Sequence, residues 1–348
     1  MTDDGSVRKR RVRYRGTHPR HFEEKYKELN PKLYSDEVKK VMERGQTPAG
    51  MHRPILVNEV LESLDPRPGM VGLDATLGFG GHALEILKLI VPGGKLIGID
   101  VDPLELPRTE ARLRGLGFSE DVLFVCRMNF AGLPQLLPEA GGAFDFVLAD
   151  LGVSSMQLDN PARGFSFKTD APLDLRFNPG KGQPASALLK SITEEELTEL
   201  LISNSDEPHA DAIAKAIIEN RHQIDSTAQL ADFVGRALQR LPAQTRREET
   251  KKSMQRTFQA LRIAVNDELS ILDQFLRLLP GCLKEGGRVA ILTFHSGEDR
   301  RVKKSFLDGY RSGIYSQIAG DPIRSSAVER RANPRSRSAK LRWAVKIV

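Results

Sequence analysis

The sequence predicts an α/β fold: a Rossmann-like, mostly parallel sheet interrupted by an inserted helical domain. Three observations predict it. Short continuous apolar runs recur at Met70 to Leu77, Lys95 to Asp100, Val122 to Cys126, Phe144 to Asp150 and Arg288 to Phe294, as strands buried on both faces require. Helical patterns such as Ala83 to Ile90 separate the first four, which makes βαβ units and parallel pairing. Between about Met156 and Arg256 the rhythm stops and amphipathic helices replace strands.

Length and charge agree with this plan. At 348 residues the chain exceeds a typical single domain, and 40% hydrophobic residues suffice for a substantial core. Residues 1–51 read as a basic extension, with Arg8, Lys9, Arg10, Arg11, Arg13 and Arg15 in an arm suited to solvation or to phosphate contact. The sheet core then occupies 52–155 and 257–348, and the helical insert 156–256. Lys and Arg number 52 against 46 Asp and Glu, a formal charge of +6, which favours a polyanionic partner. Cys126 and Cys282 lie in apolar surroundings without a CxxC or Cys/His cluster, so neither a disulfide framework nor a zinc site is expected. No apolar leader or membrane span is present, and a soluble cytoplasmic protein is expected.

Within the insert, Thr193 and Glu196 form a capping box ahead of Leu197, Leu200 and Leu201. Leu230, Phe233, Val234, Ala237, Leu238 and Leu241 share one helical face and read as core. Phe258 through Leu279 reads as one long helix returning to the sheet, and Leu341 to Val348 as the last strand.

The candidate site residues follow the strand ends. Asp74 to His82 closes a strand and opens a helix, and its glycines let a ligand approach the backbone; the segment alone fits NAD as well as S-adenosylmethionine. Asp100 ends the second strand, placed to accept both ribose hydroxyls of an adenosyl group, whereas Asp102 divides evenly between a binding role and a helix cap before Pro103. Asp150 emerges from a buried strand into the Leu151 to Ser155 segment and needs a donor or a cation there. Gln255, Gln259, Arg262 and Asn266 form a polar stripe, read equally as a cleft lining or a solvated face. His295 ends the fifth strand, and Arg330 to Lys340 is a candidate phosphate-contact segment.

Eight sequence words carry a family resemblance: HRPILVNEVL at 52–61, DATLGFGGH at 74–82, DLGVSSMQLD at 150–159, RGFSF at 163–167, PLDLR at 172–176, RTFQALRIAVNDEL at 256–269, FHSGEDRRVK at 294–303 and NPRSRSAKLR at 333–342. Over about His52 to Lys346 the chain resembles the MraW family of bacterial 16S ribosomal RNA cytosine-N4 methyltransferases. The resemblance implies an S-adenosylmethionine-dependent core with a helical substrate-recognition insert. It implies that Gly80, Gly81, His82, Asp100, Phe130, Asp150 and Gln157 hold S-adenosylmethionine, and that the acceptor is a decoding-centre cytidine of the small ribosomal subunit. Methyl transfer to N4 needs acceptors that orient the amine, and the candidates for that role are Asp150, with Ser154, His295 and Glu298 beside it. No metal is required, and the oligomer is expected to be a monomer or a homodimer. The chain departs from the family pattern at Ser205 to Pro208, at Gly297 and in its first 51 residues. A dinucleotide oxidoreductase, a noncatalytic RNA-binding factor and a DNA methyltransferase are the competing readings.

Overall fold

The computed structural model describes residues 54–348; the basic arm expected at 1–51 lies outside them. The chain runs α1 (Val57–Leu64), β1 (Val71–Asp74), α2 (Gly81–Ile90), β2 (Lys95–Asp100), α3 (Glu105–Gly115), β3 (Leu123–Arg127), β4 (Phe144–Asp150) and α4 (Ser155–Asp159). Five helices follow: α5 (Ala185–Ser191), α6 (Glu194–Ser205), α7 (Ala210–Asn220), α8 (Thr227–Ala237) and α9 (Ala243–Asn266). The chain closes with α10 (Glu268–Cys282), β5 (Leu283–Thr293), α11 (Ser296–Arg311), β6 (Tyr315–Ile318), α12 (Ala327–Ala332) and β7 (Lys340–Lys346).

The strands form one sheet in the order β3-β2-β1-β4-β5-β7-β6. β1 to β5 pair in parallel, while β7 runs antiparallel to both β5 and β6. Strand order reverses between β1 and β4, and open sheets of this kind bind ligands at the carboxyl ends flanking such a switch point. The five apolar runs each become a strand, and β5 begins five residues before the expected Arg288. β6 is too short for its pattern to stand out, and it answers to no run singled out in the sequence.

Side chains alternate across the sheet and build a core on each face. Leu73, Ile97, Val147, Val289 and Ile291 pack with Leu272, Phe275, Leu276 and Leu279 of α10 on one face. Leu96, Phe146, Leu148, Ala290 and Leu292 pack with Val60 of α1, Ile86 and Leu87 of α2 and Leu113 of α3 on the other. This double burial is why the strands read as continuous apolar runs.

A separate cluster fills the helical insert, where Leu189, Leu197, Leu201, Ile213, Ile217, Leu230, Phe233 and Val234 meet. The Thr193–Glu196 capping box forms, and Ala237 and Leu241 pack against the cluster as the helical face required. Phe258, Ala260 and Leu261 belong to the same cluster, so the boundary expected at 256 falls within the continuous helix α9.

The long helix expected over Phe258 to Leu279 is instead two helices. Asp267 sits in the left-handed region at φ 51° and breaks the chain between α9 and α10. The break has a side-chain partner: Arg262 binds Glu268 through Nε–Oε1 at 2.8 Å and Nη2–Oε2 at 2.9 Å. Residues six apart lie on different faces of an unbroken helix, so this pair forms only because the helix turns.

Gly72 pairs with Phe146 across the switch point, and a Cβ on Gly72 would lie 2.0 Å from two ring atoms of the fully buried Phe146. Gly72→Ala is therefore expected to destabilise the fold by about 1–3 kcal/mol, read as a lowered denaturant midpoint.

Candidate active site at the carboxyl edge of the sheet

β1, β2 and β4 end side by side, and backbone bonds hold their exits together. Ala75 N–H donates to Leu148 O and Leu77 N–H to Ile99 O, each at 2.8 Å. Thr76 Oγ1 accepts the Asp150 N–H at 2.6 Å. The exits therefore carry Asp74, Asp100 and Asp150 to one edge.

Asp74 is buried, with its Oδ1 accepting the Thr76 N–H at 3.1 Å. Burial pushes its carboxyl up to about 7; His82 and the Thr76 N–H oppose this, and the charges of Asp150 and Asp100 add to it. Asp100 accepts the Gly78 N–H on Oδ2 at 2.8 Å and the Asp102 N–H on Oδ1 at 2.9 Å. Desolvation raises its carboxyl and these N–H bonds pull it back. Each Asp100 oxygen retains a lone pair after one N–H bond, which is the capacity that two ribose hydroxyls need.

The glycine loop is fixed from behind. Thr109 Oγ1 donates to Gly78 O at 2.6 Å, and Arg112 binds Phe79 O with its guanidinium 4.2 Å from the Phe79 ring centre. Gly80 adopts φ 73°, and a Cβ there would meet Thr109 Cγ2 at 2.9 Å; one on Gly81 would meet Pro54 Cγ at 2.4 Å. These two glycines are thus required by the protein's own packing.

His82 is buried in the first turn of α2, and its Nε2 lies 3.6 Å from Asp150 Oδ2, beyond hydrogen-bond reach. His82 Nε2 and Asp150 Oδ1 are both buried without a hydrogen-bond partner among the described residues. A carboxylate oxygen left this way calls for a donor from a ligand. Phe130 follows β3, which Met128 N–H joins to Asp100 O at 3.1 Å, and its ring stands edge-on to Phe275 with centroids 5.1 Å apart.

Ser154, Gln157 and Glu298 have partners within the protein, and so has His295 on Nδ1, while its buried Nε2 has no hydrogen-bond partner among the described residues. Ser154 caps α4 by accepting the Gln157 N–H at 3.2 Å, while Gln157 Oε1 accepts the Ser154 N–H at 3.0 Å. Gln157 Nε2 donates to Asp102 Oδ2 at 2.7 Å, so both ends of this amide are engaged. Asp102 itself is fully buried in the turn that leads into α3, its Oδ1 accepting Leu104 N–H at 2.8 Å and Glu105 N–H at 3.2 Å. His295 caps α11 in a box with Glu298, whose Oε2 accepts the Phe294 N–H at 2.7 Å. The His295 imidazole and the Phe294 N–H together hold Glu298 below the usual carboxylate range against its desolvation.

Donor atoms of Glu268, His295 and Glu298 lie within 4.8 Å of one another, a spacing that suits a metal ion. Both Glu268 oxygens are held by Arg262, however, and its positive charge opposes a cation there.

The polar stripe on α9 forms a seam. Gln259 Nε2 donates to Asn204 O at 3.1 Å, Arg262 pairs with Glu268, and Asn266 reaches Leu175 O and the Phe177 N–H, both at 2.7 Å. Only Gln255 is exposed as a solvated face requires. In the basic segment, Arg335 pairs with Asp159 at 2.8 Å, and Asp299 takes Lys340 at 2.7 Å and Arg342 at 2.6 Å. At the departure Ser205 to Pro208, Asp206 Oδ2 accepts from Ser296 Oγ at 3.0 Å and joins the insert to α11.

The structure thus gathers Gly80, Gly81, His82, Asp100 and Asp150 at one edge, with Ser154 and Gln157 on the segment leaving β4 and His295 and Glu298 at the neighbouring exit of β5. Sequence reasoning gave no separate role to Asp74 and Thr76 within the glycine segment, and it missed Thr109, Arg112 and the task of Arg163. Asp74 carried a signal as an acid ending a strand; Thr109 and Arg112, on the back of a helix, carried none.

The raised Asp74 carboxyl gives a pH test. Its folded value lies above the unfolded one near 3.8, so its contribution to stability is present at low pH and is lost as pH rises through about 7. Asp74→Asn removes that dependence, and the variant should gain on the wild type by up to about 4 kcal/mol between about pH 4 and about pH 8 in denaturant titrations.

The model of the MraW methylase family matches residues 49–347. Ribosomal RNA small subunit methyltransferase H 2 of Alkaliphilus metalliredigens is 57% identical over 99% of this chain and 100% of its own. Methyltransferase H 1 of Lachnoclostridium phytofermentans is 55% identical over 98% of this chain and 93% of its own. Methyltransferase H of Heliobacterium modesticaldum is 40% identical over 85% of this chain and 98% of its own. The first two alignments run through most of the amino-terminal segment, which is therefore not an addition private to this protein. Among solved structures, TrmN of Thermus thermophilus superposes at a TM-score of 0.40 with 14% identity, covering 91% of this chain and 53% of that one; the fold rests on the sheet order and not on this likeness. With the family's model running through the sheet core and the insert alike, the chain belongs to the MraW methylase family and is a methyltransferase whose methyl donor is S-adenosylmethionine.

Proposed function

We propose that this protein methylates the exocyclic N4 of a cytidine in the 16S ribosomal RNA of the small subunit, in the decoding centre. The names of the relatives supply the substrate class, and the unpartnered Asp150 Oδ1 supplies the chemistry. S-adenosylmethionine brings an electrophilic methyl group on a sulfonium. Asp100 would take the ribose hydroxyls on its two free lone pairs, the Gly80 to His82 turn would hold the remainder of the cofactor, and Phe130 with Phe275 would give an apolar wall beside it.

The N4 amine is a poor nucleophile, because its lone pair is delocalised into the ring. A fixed acceptor that takes an N–H bond as the nitrogen pyramidalises raises its reactivity and costs no reorganisation at that moment. Asp150 is built for this, its backbone held by Thr76 and one oxygen left without a partner. Ser154, His295 and Glu298 shape the acceptor side through the caps they form, Glu298 by holding the Phe294 and His295 amides. Gln157 acts by holding Asp102 in place.

A base inside a stacked helix is out of reach, so the target is a single-stranded or flipped cytidine, with the helical insert and the basic segments on its flanks. No helix among the described residues is long and apolar enough to cross a membrane; we assign the protein to the cytoplasm, where ribosomal subunits are.

Small subunits from a strain lacking the endogenous modification, incubated with labelled S-adenosylmethionine and digested to nucleosides, should yield N4-methylcytidine. Label on another atom, or label entering DNA in preference to the subunit, overturns the assignment. Asp150→Asn should lower kcat/KM by about 10²-fold or more while leaving the fold intact; full turnover with ordinary cofactor affinity removes Asp150 from its role.

A further inference from the structure

We propose that Arg163 is a positioning residue that couples the cofactor edge to the helical insert, through a continuous chain of hydrogen bonds centred on the buried Asp102. The proposal rests on the placement of the cofactor ribose at Asp100. From Asp100 Oδ1 the chain runs to the Asp102 N–H at 2.9 Å. Asp102 Oδ2, fully buried, accepts from Gln157 Nε2 at 2.7 Å and from Arg163 Nη1 at 2.8 Å. The other Arg163 terminal nitrogen, Nη2, donates to the carbonyls of Arg176 at 3.0 Å and Phe177 at 2.8 Å. Phe177 N–H donates to Asn266 Oδ1 at 2.7 Å, and Asn266 ends α9, the helix that the insert shares with the core.

A second observation marks the 163–177 segment. Leu175, buried, sits at φ 64°, a conformation that a branched side chain resists and that persists only where surrounding bonds impose it. Those bonds belong to the same chain: Leu175 N–H donates to Arg163 O at 3.2 Å, and Asn266 Nδ2 donates to Leu175 O at 2.7 Å. Gly164, at φ 68°, brings the segment back on itself so closely that a Cβ would lie 2.3 Å from Pro172 O. The planar guanidinium spans a carboxylate on one side and two carbonyls on the other. A ligand that fixes Asp100 thereby fixes Asp102, Arg163 and the strained turn on which the first part of the insert is hung. Cofactor binding and order in residues 174–177 are then one equilibrium.

Hydrogen exchange on the full chain, with and without saturating S-adenosylhomocysteine, tests this directly. In the wild type the Leu175 and Phe177 amides should slow by about tenfold or more on binding, together with the Gly78 and Asp102 amides. In Arg163→Gln the Gly78 and Asp102 amides should still slow and the Leu175 and Phe177 amides should not. Arg163→Lys, which keeps a charge on Asp102 but cannot span to the carbonyls, should behave as Arg163→Gln does and serves if that variant fails to fold. Protection at 78 and 102 alone in the wild type, or coupling that survives in Arg163→Lys, overturns the proposal. Binding that protects neither Gly78 nor Asp102 overturns the placement of the cofactor itself.

Discussion

A single buried carboxylate organises this molecule. Asp102 has no exposed surface, and its two oxygens accept from the first turn of α3, from Gln157 after β4 and from Arg163 in the segment that leads into the insert. A charge taken out of water at that depth is tolerated only with a full set of donors, and its removal leaves Arg163 as an unpaired buried cation, a loss of about 3–5 kcal/mol. The donors come from the turn that follows β2 and from the 157–163 stretch after β4, more than fifty residues away in sequence. Satisfying one side chain therefore fixes the approach of β2, β4 and the insert to each other.

The same logic explains the contrast with Asp150. Both acids leave parallel strands at the ligand edge, yet Asp102 is saturated and Asp150 retains an oxygen with no partner. One acid is satisfied by the fold, and the other keeps the oxygen that we propose for the acceptor amine. Between them lie Asp74 and Asp100, whose raised carboxyls record the cost of crowding acids at a desolvated edge.

Much of the fold was legible because double burial leaves an unmistakable trace. Five apolar runs became five strands, and the Asp74 to His82 and Asp100 exits followed from them. What stayed hidden depends on contacts between distant segments. No periodicity in α9 signals the turn at Asp267, because the turn is stabilised by Arg262 meeting Glu268 and by Asn266 reaching across to Leu175 and Phe177. The polar stripe was visible as a stripe, but its partners in the insert were not. Ser154, His295 and Glu298 show the converse: residue types suited to catalysis that the local backbone uses as helix caps. Arg163 stood inside a family word, and only its burial between Asp102 and two carbonyls gave it a task.

The most direct measurement is a crystal structure of the protein with S-adenosylhomocysteine and a cytidine nucleotide. The account predicts both ribose hydroxyls on Asp100, the thioether sulfur directed toward the exit of β4, and the cytosine amine within hydrogen-bond distance of Asp150 Oδ1. A cofactor seated away from the β1 and β2 exits, or a cytosine whose amine meets no oxygen of Asp150, would contradict it.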